Sequence, residues 1–95
     1  MKDDVHIEYY SGGEIQSIIN YLDDNLHGES ILYYRSGEIS SICNYKDGKY
    51  HGECIYYFTS GEISRKSYYI CGEFVTELEW ISYNRNNKLE LLFGL

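Results

Sequence analysis

Three kinds of side chain in this chain could do chemistry. His27-Gly28-Glu29 and His51-Gly52-Glu53 are one triplet repeated 24 residues apart, Glu14, Glu38 and Glu62 form a ladder at the same interval, and Cys43, Cys54 and Cys71 are the thiols. Histidines brought together are metal ligands. Carboxylates about 5–10 Å apart do glycoside chemistry. A thiol beside a base is a nucleophile. Which of these applies depends on how the chain spaces the groups.

The spacing is a repeat. Gly13-Glu14-Ile15, Gly37-Glu38-Ile39 and Gly61-Glu62-Ile63 recur at 24 residues, as do Tyr21, Tyr45 and Tyr69 and the aromatic pairs Tyr9-Tyr10, Tyr33-Tyr34 and Tyr57-Phe58. Self-similarity at 20–50 residues marks a repeat architecture. Each unit reads as two strands. A short apolar strand such as Ile31-Leu32-Tyr33-Tyr34 enters a turn at Arg35-Ser36-Gly37-Glu38, where glycine supplies a positive φ without steric cost. The second strand, Ile39 to Tyr45, alternates. Ile39, Ser41, Cys43 and Tyr45 share one face, and Ser40, Ile42 and Asn44 the other. A longer turn from Lys46 to Gly52, opened by the turn dipeptide Asp47-Gly48, leads to the next unit. No segment sustains a 3.6-residue period, so no significant helix is expected.

The units fall at about 7–30, 31–54 and 55–78, with a degenerate capping unit at 79–95, all in one domain spanning 1–95. In the last unit Val75-Thr76-Glu77 stands where His-Gly-Glu is expected, and Asn87 stands in the place of the turn glycine. Terminal repeats are commonly atypical because they cap an array. The tail Leu89-Glu90-Leu91-Leu92-Phe93 is expected to be the closing strand.

This geometry bears on the chemistry. Equivalent residues lie two strands apart, roughly 9–10 Å at ~4.8 Å per strand. Zinc holds its nitrogens at about 2.0–2.1 Å, so His27 and His51 cannot share an ion within one chain. His-Gly-Glu is read instead as shaping the inter-repeat turn. The cysteines occupy three phases of the repeat and form no C-x-x-C pair; Cys43 and Cys54 flank one hairpin and are expected to face each other as small strand hydrophobes. The glutamate ladder follows from the repeat and reads as a solvated acidic edge. No catalytic residue, cofactor or metal site is expected.

Bulk properties limit the partners. The chain has 95 residues, 12 Tyr, no Pro and a formal net charge of -7. Such a surface repels phosphate backbones and anionic leaflets and steers basic proteins toward it. An odd cysteine count, with no leader-like opening, places the chain in the cytoplasm with reduced thiols. No apolar run reaches the ~18 residues of a membrane span.

Units of the form Tyr-Tyr-x-x-Gly-x-Ile, then Tyr-x-x-Gly-x-x-His-Gly-Glu, resemble the MORN repeat over roughly residues 7 to 89. The variant repeats of the YwqK-type antitoxin family are the nearest likeness. The resemblance implies an all-β fold, a single elongated, twisted antiparallel meander of 24-residue hairpins without a second layer. It also implies a scaffold, membrane-associated or partner-binding role. Adjacent aromatics on a strand point to opposite faces, so one ring of each pair is left on an open side. The expected function is a non-catalytic interaction module of antitoxin or immunity type. It would hold a basic protein through Tyr33, Tyr57, Glu38, Glu62 and Glu53, with Tyr34 and Phe58 as rivals on the other face. The alternative is a self-associating, MORN-type scaffold, membrane-associated in one version, with a homodimer through an edge strand or aromatic face.

Overall fold

The computed structural model describes residues 2–93, with side chains through residue 87. Seven strands follow one another: β1 (Asp3–Tyr9), β2 (Ile15–Leu22), β3 (Asn25–Tyr33), β4 (Ile39–Lys46), β5 (Lys49–Tyr57), β6 (Ile63–Ile70) and β7 (Glu73–Val75); helix α1 (Glu77–Phe93) comes last. They lie in one antiparallel sheet in chain order. The molecule measures 52 × 33 × 21 Å. The expected elongated meander is therefore present.

Two kinds of turn alternate. At one end of the strands an aromatic residue closes each loop. The Tyr10, Tyr34 and Phe58 N–H groups donate to the Glu14, Glu38 and Glu62 carbonyls at 2.8 Å. At the other end the turns are tighter than expected. Asp23-Asp24, Asp47-Gly48 and Cys71-Gly72 all have positive φ at both residues, which is the type I′ hairpin whose twist matches that of the strands. The turn expected over Lys46 to Gly52 is therefore only Asp47-Gly48. Lys49 onward already belongs to β5, and a register irregularity opposite Cys43/Tyr45 absorbs the extra residues.

The two faces differ. On one, Ile19↔Ser30, Cys43↔Cys54 and Cys54↔Ser67 are cross-strand partners. Ser17, Ser30, Ser41 and Ser67 are buried there although hydroxylated, and Cys54 is wholly buried. Small side chains let larger neighbours such as Leu32, Tyr45, Tyr50 and Tyr56 close over them. On the opposite face Ile7, Ile18, Ile31, Ile42 and Ile55 pair in one continuous row that ends at Lys66. Half-buried, each contributes about 1 kcal/mol by the area removed from water.

Side chains also tie one repeat to the next. Tyr10 Oη donates to the Tyr33 carbonyl at 2.6 Å and Tyr34 Oη to the Tyr57 carbonyl at 2.7 Å. The amides of Asn20 and Asn44 donate to the Glu29 and Glu53 carbonyls at 2.8 and 2.9 Å.

The last unit departs from expectation. Residues 77–93 are helical, and the closing strand expected at Leu89–Phe93 is absent from the described backbone. The cover expected for the apolar side chains of that tail lies outside the described residues. A capping box starts the helix. Thr76 N–H donates to Glu79 Oε1 at 2.9 Å, and Glu79 N–H donates to Thr76 Oγ1 at 3.1 Å. Backbone groups satisfied this way favour helix over another hairpin. The sheet is thus a single layer except at this end, where Trp80 from α1 lies against it.

Candidate functional site

Tyr33 and Tyr57 end β3 and β5 and are half-buried, and by alternation they share the isoleucine face with Ile31 and Ile55. Glu38 and Glu62 sit in the aromatic-closed turns and are exposed. Glu38 Oε2 reaches the adjacent hairpin, 3.9 Å from where a Cβ on Gly61 would lie. These four residues therefore gather at one end of the strands, on neighbouring repeats. Glu53 does not join them. It lies within β5, where Tyr68 Oη donates to its Oε2 at 3.3 Å and Lys66 Nζ stands 3.9 Å away. Of the rivals, Tyr34 spends its hydroxyl on the Tyr57 carbonyl, whereas Phe58 is 54% exposed. The series Tyr10, Tyr34, Phe58 loses its hydroxyl at the repeat that has no following β-hairpin strand to bond.

The histidines take structural places. His51 Nδ1 accepts the Cys71 N–H at 3.1 Å, and its ring lies edge-on to Trp80 and Tyr83, with centroids 5.4 and 5.6 Å away. Burial, and then the charge of Lys46, lowers its pKa from the ordinary 6.5. His27 occupies the same place one repeat earlier, and its buried Nδ1 has no hydrogen-bond partner.

Cys43 and Cys54 face each other across β4 and β5, as expected. Cys54 donates to Cys43, which outweighs burial and, with Tyr56 and the charge of Arg65, lowers the Cys43 thiol to about 7. Donating in this way, together with burial, pushes Cys54 up. Tyr56, whose Oη is 3.8 Å from Cys43 Sγ, is pushed up to about 12, mainly by burial. Arg65 lies over the Tyr56 ring at 4.4 Å. Beside this pair Tyr45, Tyr50 and Tyr69 stack at 4.8 Å intervals, and burial raises the Tyr45 hydroxyl. The cluster packs and rigidifies; no base stands among the groups that shift Cys43.

The residue that sequence reasoning missed is Trp80. A Cβ on Gly52 would already touch its ring at 3.6 Å and Asn44 Cβ at 3.6 Å, so no longer side chain fits beneath the indole. The signal was present in Thr76-Glu77-Leu78-Glu79, a capping-box spacing, but alignment to the repeat hid it.

The model of the MORN repeat variant matches residues 5–23, 26–47 and 50–70, and the chain belongs to that family. The three matched segments are the three hairpins of the sheet. MORN repeats generally mediate interactions with proteins or membranes. No curated protein and no solved structure matches the chain significantly. Among the described residues no helix is long and apolar enough to cross a membrane.

Proposed function

We propose that the protein is a non-catalytic interaction module of antitoxin or immunity type, holding a basic protein partner by occlusion and charge complementarity. The contact residues in this proposal are Tyr33, Tyr57, Glu38 and Glu62, with Glu53 as a flanking charge. The observation that carries it is the pair Glu38 and Glu62. They are exposed on adjacent hairpins beside the half-buried Tyr33 and Tyr57, and among the described residues neither makes an ion pair. A net charge of -7 adds long-range attraction for a cationic surface. The antitoxin role itself is an extension of the family likeness.

The test is co-purification with the product of the adjacent gene, followed by calorimetry. The double variant Glu38→Lys, Glu62→Lys is expected to weaken binding at least tenfold at low salt and less at high salt. Unchanged affinity at low salt would reject the electrostatic part. A second reading, a self-associating scaffold, draws on Val5, Ile7 and Tyr9 in β1, which are 54%, 40% and 58% exposed along an open edge. Light scattering that finds a monomer at high micromolar concentration would reject it.

A further inference from the structure

We propose that the cleft formed by Asn20, His27 and Gly28 is a docking notch for a helix of another protein that presents an aromatic side chain, Trp or Tyr, beside Lys or Arg. The repeat supplies the comparison. Asn20, His27, Gly28 and Glu29 are the 24-residue equivalents of Asn44, His51, Gly52 and Glu53. In the later set the notch is full, because Trp80 of α1 lies on Gly52 and against His51. In the earlier set the same backbone is built and nothing fills it. The amide of Asn20 holds the Glu29 carbonyl as that of Asn44 holds the Glu53 carbonyl. Gly28 has φ 84°, as Gly52 has 106°. A Cβ on Gly28 would meet only Asn20 Cβ, at 3.9 Å. An open cleft of about 420 Å³ stands there, lined also by Asp3, Asp4 and Val5.

Two features select the occupant. The first is charge. Glu53 has Lys66 beside it, but Glu29 makes no ion pair among the described residues, and neither Asp3 nor Asp4 does. A tryptophan alone would leave this rim unmatched; one flanked by Lys or Arg would not. The second is spacing. A helix seated one repeat before α1 would lie roughly 9–10 Å from it at ~4.8 Å per strand. Packed helices lie about 8–10 Å apart, so the newcomer would touch the sheet and α1 together and cover part of the isoleucine row.

The site lies toward the type I′ turns, whereas Glu38 and Glu62 lie in the turns at the other end of the strands, so it stands independently of the surface proposed above. The test uses the full chain, isotopically labelled, and a hydrocarbon-stapled peptide copying residues 76–87 with Glu77→Lys. Amide shifts are expected at Val5, Asn20, His27 and Gly28. Trp80→Ala in the peptide should weaken binding at least tenfold. Asp3→Lys with Glu29→Lys in the protein should weaken it about fivefold at low salt, while Glu38→Lys with Glu62→Lys leaves it unchanged. The proposal falls if the peptide does not bind at millimolar concentration. It falls equally if shifts are confined to the open edge of β1, which would mean strand addition. Shifts confined to His51 and Gly52, which would mean displacement of α1, would also overturn it.

Discussion

His27 and His51 hold the same position in consecutive repeats, yet one looks into an open cleft and the other is walled in by Trp80, Tyr83 and the Cys71 amide. The strands around them are alike. What differs is the next element: after the second repeat comes another hairpin, and after the third comes a helix that folds back. A repeat of this kind therefore specifies a sheet and a row of notches, while the element that follows decides which notch is closed. Stability should be unevenly divided as a result.

Substitution at the two notch glycines should expose the difference most strongly. Gly52→Leu is expected to cost about 3 kcal/mol, combining a left-handed backbone with eviction of the indole. Gly28→Leu should cost about 1.5 kcal/mol, the backbone term alone. Urea unfolding measures both, and equal losses would mean that Trp80 does not depend on Gly52. Next comes Trp80→Ala. A half-buried tryptophan should lose about 2 kcal/mol, with helical circular dichroism falling at the same time. Retained helicity with unchanged stability would show that α1 is held by something else.

The hydroxyl ties between repeats give a smaller contrast. Tyr34→Phe should cost about 1 kcal/mol by stranding the Tyr57 carbonyl, while Phe58→Tyr should be neutral within about 0.5 kcal/mol. A gain at Phe58→Tyr would reveal an acceptor near α1. The smallest effect is that of pH. Because the folded pKa of His51 lies below its ordinary 6.5, its contribution to stability is complete above that value and is lost as pH falls through the folded pKa. Protonation also removes the acceptor for the Cys71 amide. Thermal unfolding should therefore drop more steeply below pH 6.5 in the wild type than in His51→Gln. Parallel slopes would assign the acid sensitivity to other groups.

Much of this was legible in the residues. The 24-residue period gave the hairpins, the alternation in β4 gave its two faces, and Asp47-Gly48 gave a turn. The opposition of Cys43 and Cys54 followed from their places around that turn. The tightness of the turn was less legible, because Lys49 to Gly52 reads as loop until the register irregularity is known to hold it inside β5. The helix was missed for a physical reason. Residues 77–87 place Leu78, Trp80, Ile81 and Tyr83 without a clean apolar stripe, and their echo of the repeat, Tyr83 to Asn87, competed with the local capping signal. Of the candidate contact residues, neighbouring repeats bring Tyr33, Tyr57, Glu38 and Glu62 to one end. Glu53 could not be separated from them in the sequence, because its tie to Lys66 and Tyr68 depends on cross-strand register.

The strict neighbour order from β1 to β7 has a kinetic consequence. Each strand finds its partners a few residues away in the chain, so loop-closure entropy never grows large, and folding can start at any hairpin and spread outward like a zipper. Unravelling would begin at the margins. Amide hydrogen exchange should therefore be slowest in β4 and β5 and fastest in β1, with protection rising strand by strand along the chain between them.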